Sequence, residues 1–183
     1  MPLLDSLIIG VLSGVIASFL FIIIIHIRAP RSLASYKLII NNGMISIKLL
    51  NMTWYKSIID VNVQLSIVRR AYRDVGHIAD HKNIKLRANH LFEMYPRKFN
   101  SSEGAWIFRS TDLFFDEVNE FDYFRFRVLA SEPTFGIRKS FTFDYNKDKI
   151  IWGNYDFKSG RSLDIVTPSP KTTTSSPSSQ NTH

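Results

Sequence analysis

The chain has 183 residues, a net charge of +7 and no cysteine. That length holds one domain of common size plus accessory segments. The missing cysteine excludes disulfides, thiolate metal sites and a cysteine nucleophile. Composition then divides the chain into three parts. Residues 1–27 are almost wholly apolar, with Asp5 and His26 as the only ionisable side chains. Residues 28–167 are mixed, aromatic and charged, and 168–183 contain only Pro, Ser, Thr, Lys, Gln, Asn and His. Because residues 1–27 hold no Lys or Arg, the positive balance falls on the remainder of the chain.

Residues 1–6 form a short leading segment. Leu7 to Ile25 then run for 19 residues without a charge, close to the ~20 that cross a ~30 Å hydrocarbon core as a helix. The run predicts a transmembrane helix over 7–27. The alternative, a cleaved secretion signal, needs a basic leader, a shorter apolar run and a small-x-small cleavage site. Here the leader MPLLDS has no Lys or Arg, the run is too long, and SLAS is the only faint cleavage sequence. Arg28, Arg31 and Lys37 flank the C-terminal side of the span, which predicts a cell-membrane protein with its C-terminal domain in the cytoplasm. With that topology the two glycosylation sequons, at Asn51 and Asn100, are chance matches. Within the span, Gly10, Gly14 and Ser18 recur every four residues. Small residues so spaced line one helix face and allow close helix–helix contact. A plain tether with common small residues is the alternative.

Residues 28–35 are expected to be a basic juxtamembrane linker and 36–166 a β-domain. YKLIINNG (36–43) ends in Asn42-Gly43, a hairpin turn signal, and MISIKLLN (44–51) comes next. SIIDVNVQLSIV (57–68) alternates, with Ile59, Val61, Val63, Leu65 and Ile67 on one face, the pattern of a half-buried antiparallel strand. NIKLRANHLFEMY (83–95), AWIFRS (105–110) and DYFRFRVLA (122–130) are further strands. RKSFTFDY (138–145) and KIIWGNYDF (149–157) read as a hairpin through Asn146-Lys147-Asp148. Seven or eight such strands with little helical periodicity predict an antiparallel β-sandwich or a small barrel. Trp106, Phe108, Phe124, Phe126, Phe141, Phe143 and Trp152 alternate as core residues. The tail, 167–183, has too little apolar surface to offset its ordering entropy and is expected to be disordered.

GMISIKLLNMTWYKSIIDVNVQLSIVRR, from Gly43 to Arg70, resembles the first strands of the cytosolic domain of inward-rectifier potassium channels. In that family a strand leads through a polar turn into an alternating strand with a basic end. The resemblance implies an immunoglobulin-like β-sandwich behind a membrane helix. The family's second membrane helix, pore helix and filter sequence are absent, so no channel residue is carried over.

No constellation names a reaction. His77, Asp80 and His81 have helical metal-site spacing but sit in AYRDVGHIADHK (71–82), which reads as a polar loop or a brief turn between strands. No metal site and no cofactor is assigned. Arg69, Arg70, Arg73, Lys82, Lys85 and Arg87 concentrate positive charge over 69–87. Folded back towards a bilayer, that loop forms a patch for an anionic ligand such as a lipid headgroup or nucleotide; a solvated basic loop is the alternative. Base-stacking aromatics are sparse, so there is no specific nucleic-acid signature. The acidic FFDEVNEFD (114–122) matches no nucleotide or calcium loop. Serine elbows, P-loops, dinucleotide fingerprints and kinase signatures are missing, and no catalytic residue is assigned.

The expectation is therefore a non-enzymatic single-pass membrane protein whose cytosolic β-sandwich binds a partner or ligand at the membrane. Its partners are the lipid bilayer, a second copy through the helix, and an unidentified protein or small anionic ligand. The alternative is an oligomerising membrane effector, in which the β-domain senses a signal and the helices then assemble and perturb the bilayer.

Overall fold

The apolar run at the start of the chain forms helix α1, Pro2–Arg28, in a computed structural model. The structure describes residues 2–73, 76–97, 104–116, 118–120 and 122–167, with the side chains of 2–5, 26, 28, 70–73 and 76–78 outside the description. The sequon at Asn100 and the tail from residue 168 therefore lie outside the described residues. Within α1, Ser6–Ile25 is a 20-residue stretch of mean hydropathy 2.9 with none of its residues buried inside the protein. At 1.5 Å per residue it is about 30 Å long, enough to cross a bilayer. Ser13 Oγ donates to Gly10 O at 2.9 Å and Ser18 Oγ to Gly14 O at 2.8 Å. Both hydroxyls are thus satisfied inside the helix, as an apolar surrounding requires.

The rest is two five-stranded sheets. The first holds β1 (Ser32–Ala34), β2 (Leu38–Asn41), β3 (Met44–Asn51), β7 (Ala105–Arg109) and β10 (Ile150–Trp152). In it β3 is central. Strands β2 and β1 pair end to end along one edge of β3, and β7 along the other. The second holds β4 (Ile58–Arg73), β5 (Gly76–Ile84), β6 (His90–Met94), β8 (Tyr123–Ser131) and β9 (Arg138–Asn146). Here β5 and β6 share one edge of the long β4, and β8 then β9 lie on its other side. A short hairpin, β11 (Asp156–Phe157) and β12 (Ile165–Val166), comes last.

One core joins the sheets. Ile40, Ile45, Ile47, Leu49 and Phe108 from the first meet Val61, Val63, Leu65, Phe124, Phe126 and Val128 from the second. Phe108 and Phe126 pack with ring centroids 5.7 Å apart. Tyr145 on β9 donates its hydroxyl to Ser35 O at 2.9 Å, tying the second sheet to the link between β1 and β2. Burial pushes the pKa of this phenol up despite that bond. The alternation of β8 holds: Phe124, Phe126, Val128 and Ala130 are all fully buried. So does the turn at Asn42-Gly43, where both residues have positive φ, +48° and +78°, the geometry of a two-residue hairpin turn.

Five expectations need correction. Residues 32–34, placed in the linker, are strand β1. Residues 71–73 and 76–82 are strand rather than loop, because β4 and β5 pair from Leu65↔Ile84 to Arg73↔Gly76. The run 83–95 is not one strand: β5 ends at Ile84 and β6 starts at His90. Residues 138–157 are not a hairpin. A 3-10 turn, Lys147–Lys149, carries the chain from β9 in one sheet to β10 in the other, where β10 pairs parallel with β2. The first sheet is therefore mixed rather than antiparallel throughout. Lastly, Trp106 and Trp152 are exposed rather than core. A smaller shift occurs in β4, where Asp60 has φ +50° and the register slips between Ile59 and Asn62. This bulge puts Ile58 in the core in place of Ile59.

Candidate functional site

The strand registers give the domain two ends. At the end next to α1 lie the pairs Ser32↔Asn51, Leu50↔Ala105 and Ile58↔Met94. At the far end are the Asn42-Gly43 turn and the pair Val68↔Tyr123, with the β4–β5 hairpin projecting beyond. From Ile59 to Arg73 the chain of β4 covers about 45 Å at ~3.3 Å per residue. The basic stretch, which would be an anionic-ligand patch if folded back towards the bilayer, runs towards the opposite end.

Its cations are also dispersed. Arg69 pairs with Asp116 at 2.7 Å. Arg70 and Arg73 have side chains outside the described residues. Lys82 is exposed on β5, while Lys85 and Arg87 come after β5 beside the Leu86↔Ser110 bridge. His77, Asp80 and His81 lie on β5, where adjacent residues point to opposite faces, so helical metal spacing does not apply. Among the described residues no three His, Asp or Glu side chains gather as a metal site.

The helix-proximal end carries a different set, built around Asn51. Its side chain is fully buried. Nδ2 donates to Lys56 O at 3.0 Å and to Met94 O at 2.9 Å, and Oδ1 accepts from Thr53 N at 2.9 Å and from Thr53 Oγ1. This amide makes the 52–57 link between β3 and β4 a fixed loop, and it is inaccessible as a glycosylation sequon in the folded chain. Wrapped round Asn51, the loop turns Trp54 and Tyr55 outward, with 53% and 68% of their surface exposed. Their rings meet edge to face at 6.0 Å. Lys56 on the same loop reaches Glu132 Oε1 at 2.7 Å. Burial opposes ionisation of Glu132, but the bonds from Lys56 and from Phe135 and Thr134 outweigh it and hold the carboxyl at about 2.

Trp54 separates two clefts. One, of about 450 Å³, opens where α1 meets the domain and is lined by Ile27, Ala29, Arg31, Trp54, Tyr55 and Lys56 among others. The other, of about 540 Å³, has an apolar floor of Leu33, Leu50, Met52 and Leu163 with Arg97 and Arg161 at its wall. The Arg97 guanidinium lies over the Trp54 ring at 5.6 Å, a cation–π arrangement. Arg161 donates to Pro96 O at 3.4 Å and to Asn51 O. Gly104 makes room for it, because a Cβ there would collide with the Arg161 guanidinium and the Tyr95 carbonyl. Among the described residues neither arginine has a carboxylate within ion-pair distance. Burial, and then the charge of Arg97, lower the pKa of Arg161. Two guanidinium groups facing one cleft, with no carboxylate paired to them among the described residues, can take an anion bearing an apolar portion.

Of the flanking cations, Arg31 lines the smaller cleft. The Arg28 side chain is outside the description, and Lys37 lies beyond β1, just before β2, lining neither cleft. Gly10, Gly14 and Ser18 lie on the exposed surface of α1. Sequence reasoning passed over Trp54, Tyr55, Lys56, Arg97 and Arg161. The available signal was a Trp-Tyr-Lys triplet in a short interstrand loop, the composition of a membrane-interface anchor.

Comparison with known proteins adds no family: no family model matches the chain, and no curated protein does. The crystal structure of Spo0M, a sporulation control protein from Bacillus subtilis, aligns at 14% identity and a TM-score of 0.38, over 64% of this chain and 49% of that one. A likeness of that size carries no argument about fold or function.

Proposed function

We propose that the chain is a non-enzymatic single-pass membrane protein whose β-sandwich is held at the cytosolic face as a binding module. In this reading, its helix-proximal end engages the phosphate groups of an anionic leaflet. The observation that carries it is the coincidence, at the end where α1 enters the domain, of exposed Trp54 and Tyr55 with Arg31, Arg97 and Arg161. Indole and phenol rings favour the headgroup level of a bilayer. Each cation near an anionic leaflet adds about 1 kcal/mol of attraction. Arg28, Arg31 and Lys37 supply the positive flank that favours the cytosolic side. The immunoglobulin-like arrangement implied by the resemblance of residues 43–70 to inward-rectifier channels belongs to the same reading, without any channel activity.

Two measurements test it. Full-length chain in native membranes should resist alkaline carbonate extraction, with the domain accessible to protease only after permeabilisation. In nanodiscs, native mass spectrometry should show phosphatidylglycerol retained over phosphatidylcholine. Release by carbonate, or equal retention of the two lipids, would refute the reading.

A further inference from the structure

The outer face of β3 shows what builds the cleft. Alternation turns Ile45, Ile47 and Leu49 into the core, so Ser46, Lys48 and Leu50 point away from it. Yet these three are 5%, 1% and 5% exposed, as buried as core residues. The segment from Asp156 to Val166 lies over Lys48, and its Arg161 and Leu163 line the same cleft as Leu50. β11 and β12 close it as a hairpin through Phe157↔Ile165, and Lys158 N donates to Asp164 O at 2.9 Å. Arg109 on β7 tacks its start down through Asp156 at 3.0 Å. At the centre, Lys48 Nζ donates to Lys158 O at 2.6 Å and to Ser162 O at 2.7 Å. Those two carbonyls bracket Arg161.

We propose that Lys48 is a positioning residue for the arginine cleft: its ammonium is the internal cation around which residues 156–166 fold, and it thereby sets Arg161 against Arg97. This rests on the anionic-cleft reading of the proposed function. A loop that converges carbonyls on one point needs a cation or donors there, and a buried chain with a terminal ammonium supplies both. Burial lowers the pKa of this amine, while Asp156 and Asp164 work against that shift, so the hairpin's own carboxylates help keep the charge in place. Arg161 lies in the link between the two bonded carbonyls. Loss of the amine frees that link and removes one of the two guanidinium groups from the cleft wall.

The test uses full-length chain in nanodiscs of phosphatidylcholine with or without phosphatidylglycerol, read by native mass spectrometry, with an inorganic phosphate arm to separate lipid from free anion. Arg161→Gln is expected to lower the phosphatidylglycerol preference about fivefold. Lys48→Met should lower it as much, and the double variant no further. Lys48→Arg, which keeps charge and donors, should restore most of the preference. A Lys48→Met chain with wild-type preference beside a defective Arg161→Gln chain would overturn the positioning role and leave the cleft reading intact. Fully additive losses in the double variant would do the same. A wild-type chain with no preference, or one that phosphate alone satisfies, would remove both. Should Lys48→Met fail to fold, Lys48→Gln carries the same expectations, because its shorter polar chain cannot span both carbonyls.

Discussion

The two ends of the sandwich are built by opposite means. At the helix-distal end the backbone does the work: a two-residue turn at Asn42-Gly43 and a hairpin that runs past the core. At the helix-proximal end buried polar side chains do it. Asn51 shapes one loop, Glu132 caps another and Lys48 gathers a third. A side-chain scaffold fixes outward groups at set positions, whereas a projecting hairpin leaves its described arm, residues 79–83, exposed to solvent. The comparison teaches where to look for a site. The densest run of charge in the sequence is at one end, and the pre-organised cations are at the other.

That contrast can be broken by substitution, and the largest effect is expected at Asn51. Asn51→Ala removes the amide that bonds the Lys56 and Met94 carbonyls and the Thr53 N–H, and should cost about 2–4 kcal/mol in urea unfolding of detergent-solubilised chain. A smaller loss would mean that water replaces the amide and the loop is not side-chain built. Glu132→Gln should cost about 2 kcal/mol at neutral pH. Its sign with pH comes from a carboxyl held at about 2 in the fold against an ordinary 4.5. The wild-type contribution is complete above about pH 5 and is lost as the pH falls towards 2, and the variant's stability should lack that slope. At the distal end Asn42→Ala places alanine at φ +48° and should cost about 1 kcal/mol, with no change in lipid retention. The smallest effect is expected at the surface. Arg97→Gln should reduce phosphatidylglycerol retention about fivefold with unaltered stability, while the distal Lys82→Gln/Lys85→Gln pair should leave it unchanged. An equal loss from both would make the attraction a matter of net charge rather than of the cleft.

How much of the fold was legible in the sequence depended on burial. β8 sits between two strands with one face in the core, so Phe124, Phe126 and Val128 alternate cleanly with exposed or half-exposed Arg125 and Arg127. The same pattern reveals β4 up to Val68. It fades beyond, because there the hairpin has left the core and its apolar alternation disappears, although the backbone pairs on. The β9–β10 crossover was invisible for a different reason. Local pattern cannot tell a turn that folds a strand back from one that moves it to the other sheet. The site was least legible. Trp54, Arg97 and Arg161 come from separate segments, and the buried amide and amine that hold their surroundings, Asn51 and Lys48, look in sequence like ordinary polar residues in a strand.

The bonds of Lys48 to carbonyls 110 and 114 positions further along, like the parallel pairing of β10 with β2, set the order in which the domain can form. Partners so far apart in sequence raise contact order and slow folding. While the chain is being made, β2 waits with one edge open and Lys48 lies uncovered until residue 162 has emerged. Domains form as units during synthesis, so this one finishes late, after its helix has already left the ribosome. Within the domain the cleft is thus the last part to be assembled, and it closes only once the segment carrying Arg161 and Ser162 has joined Lys48.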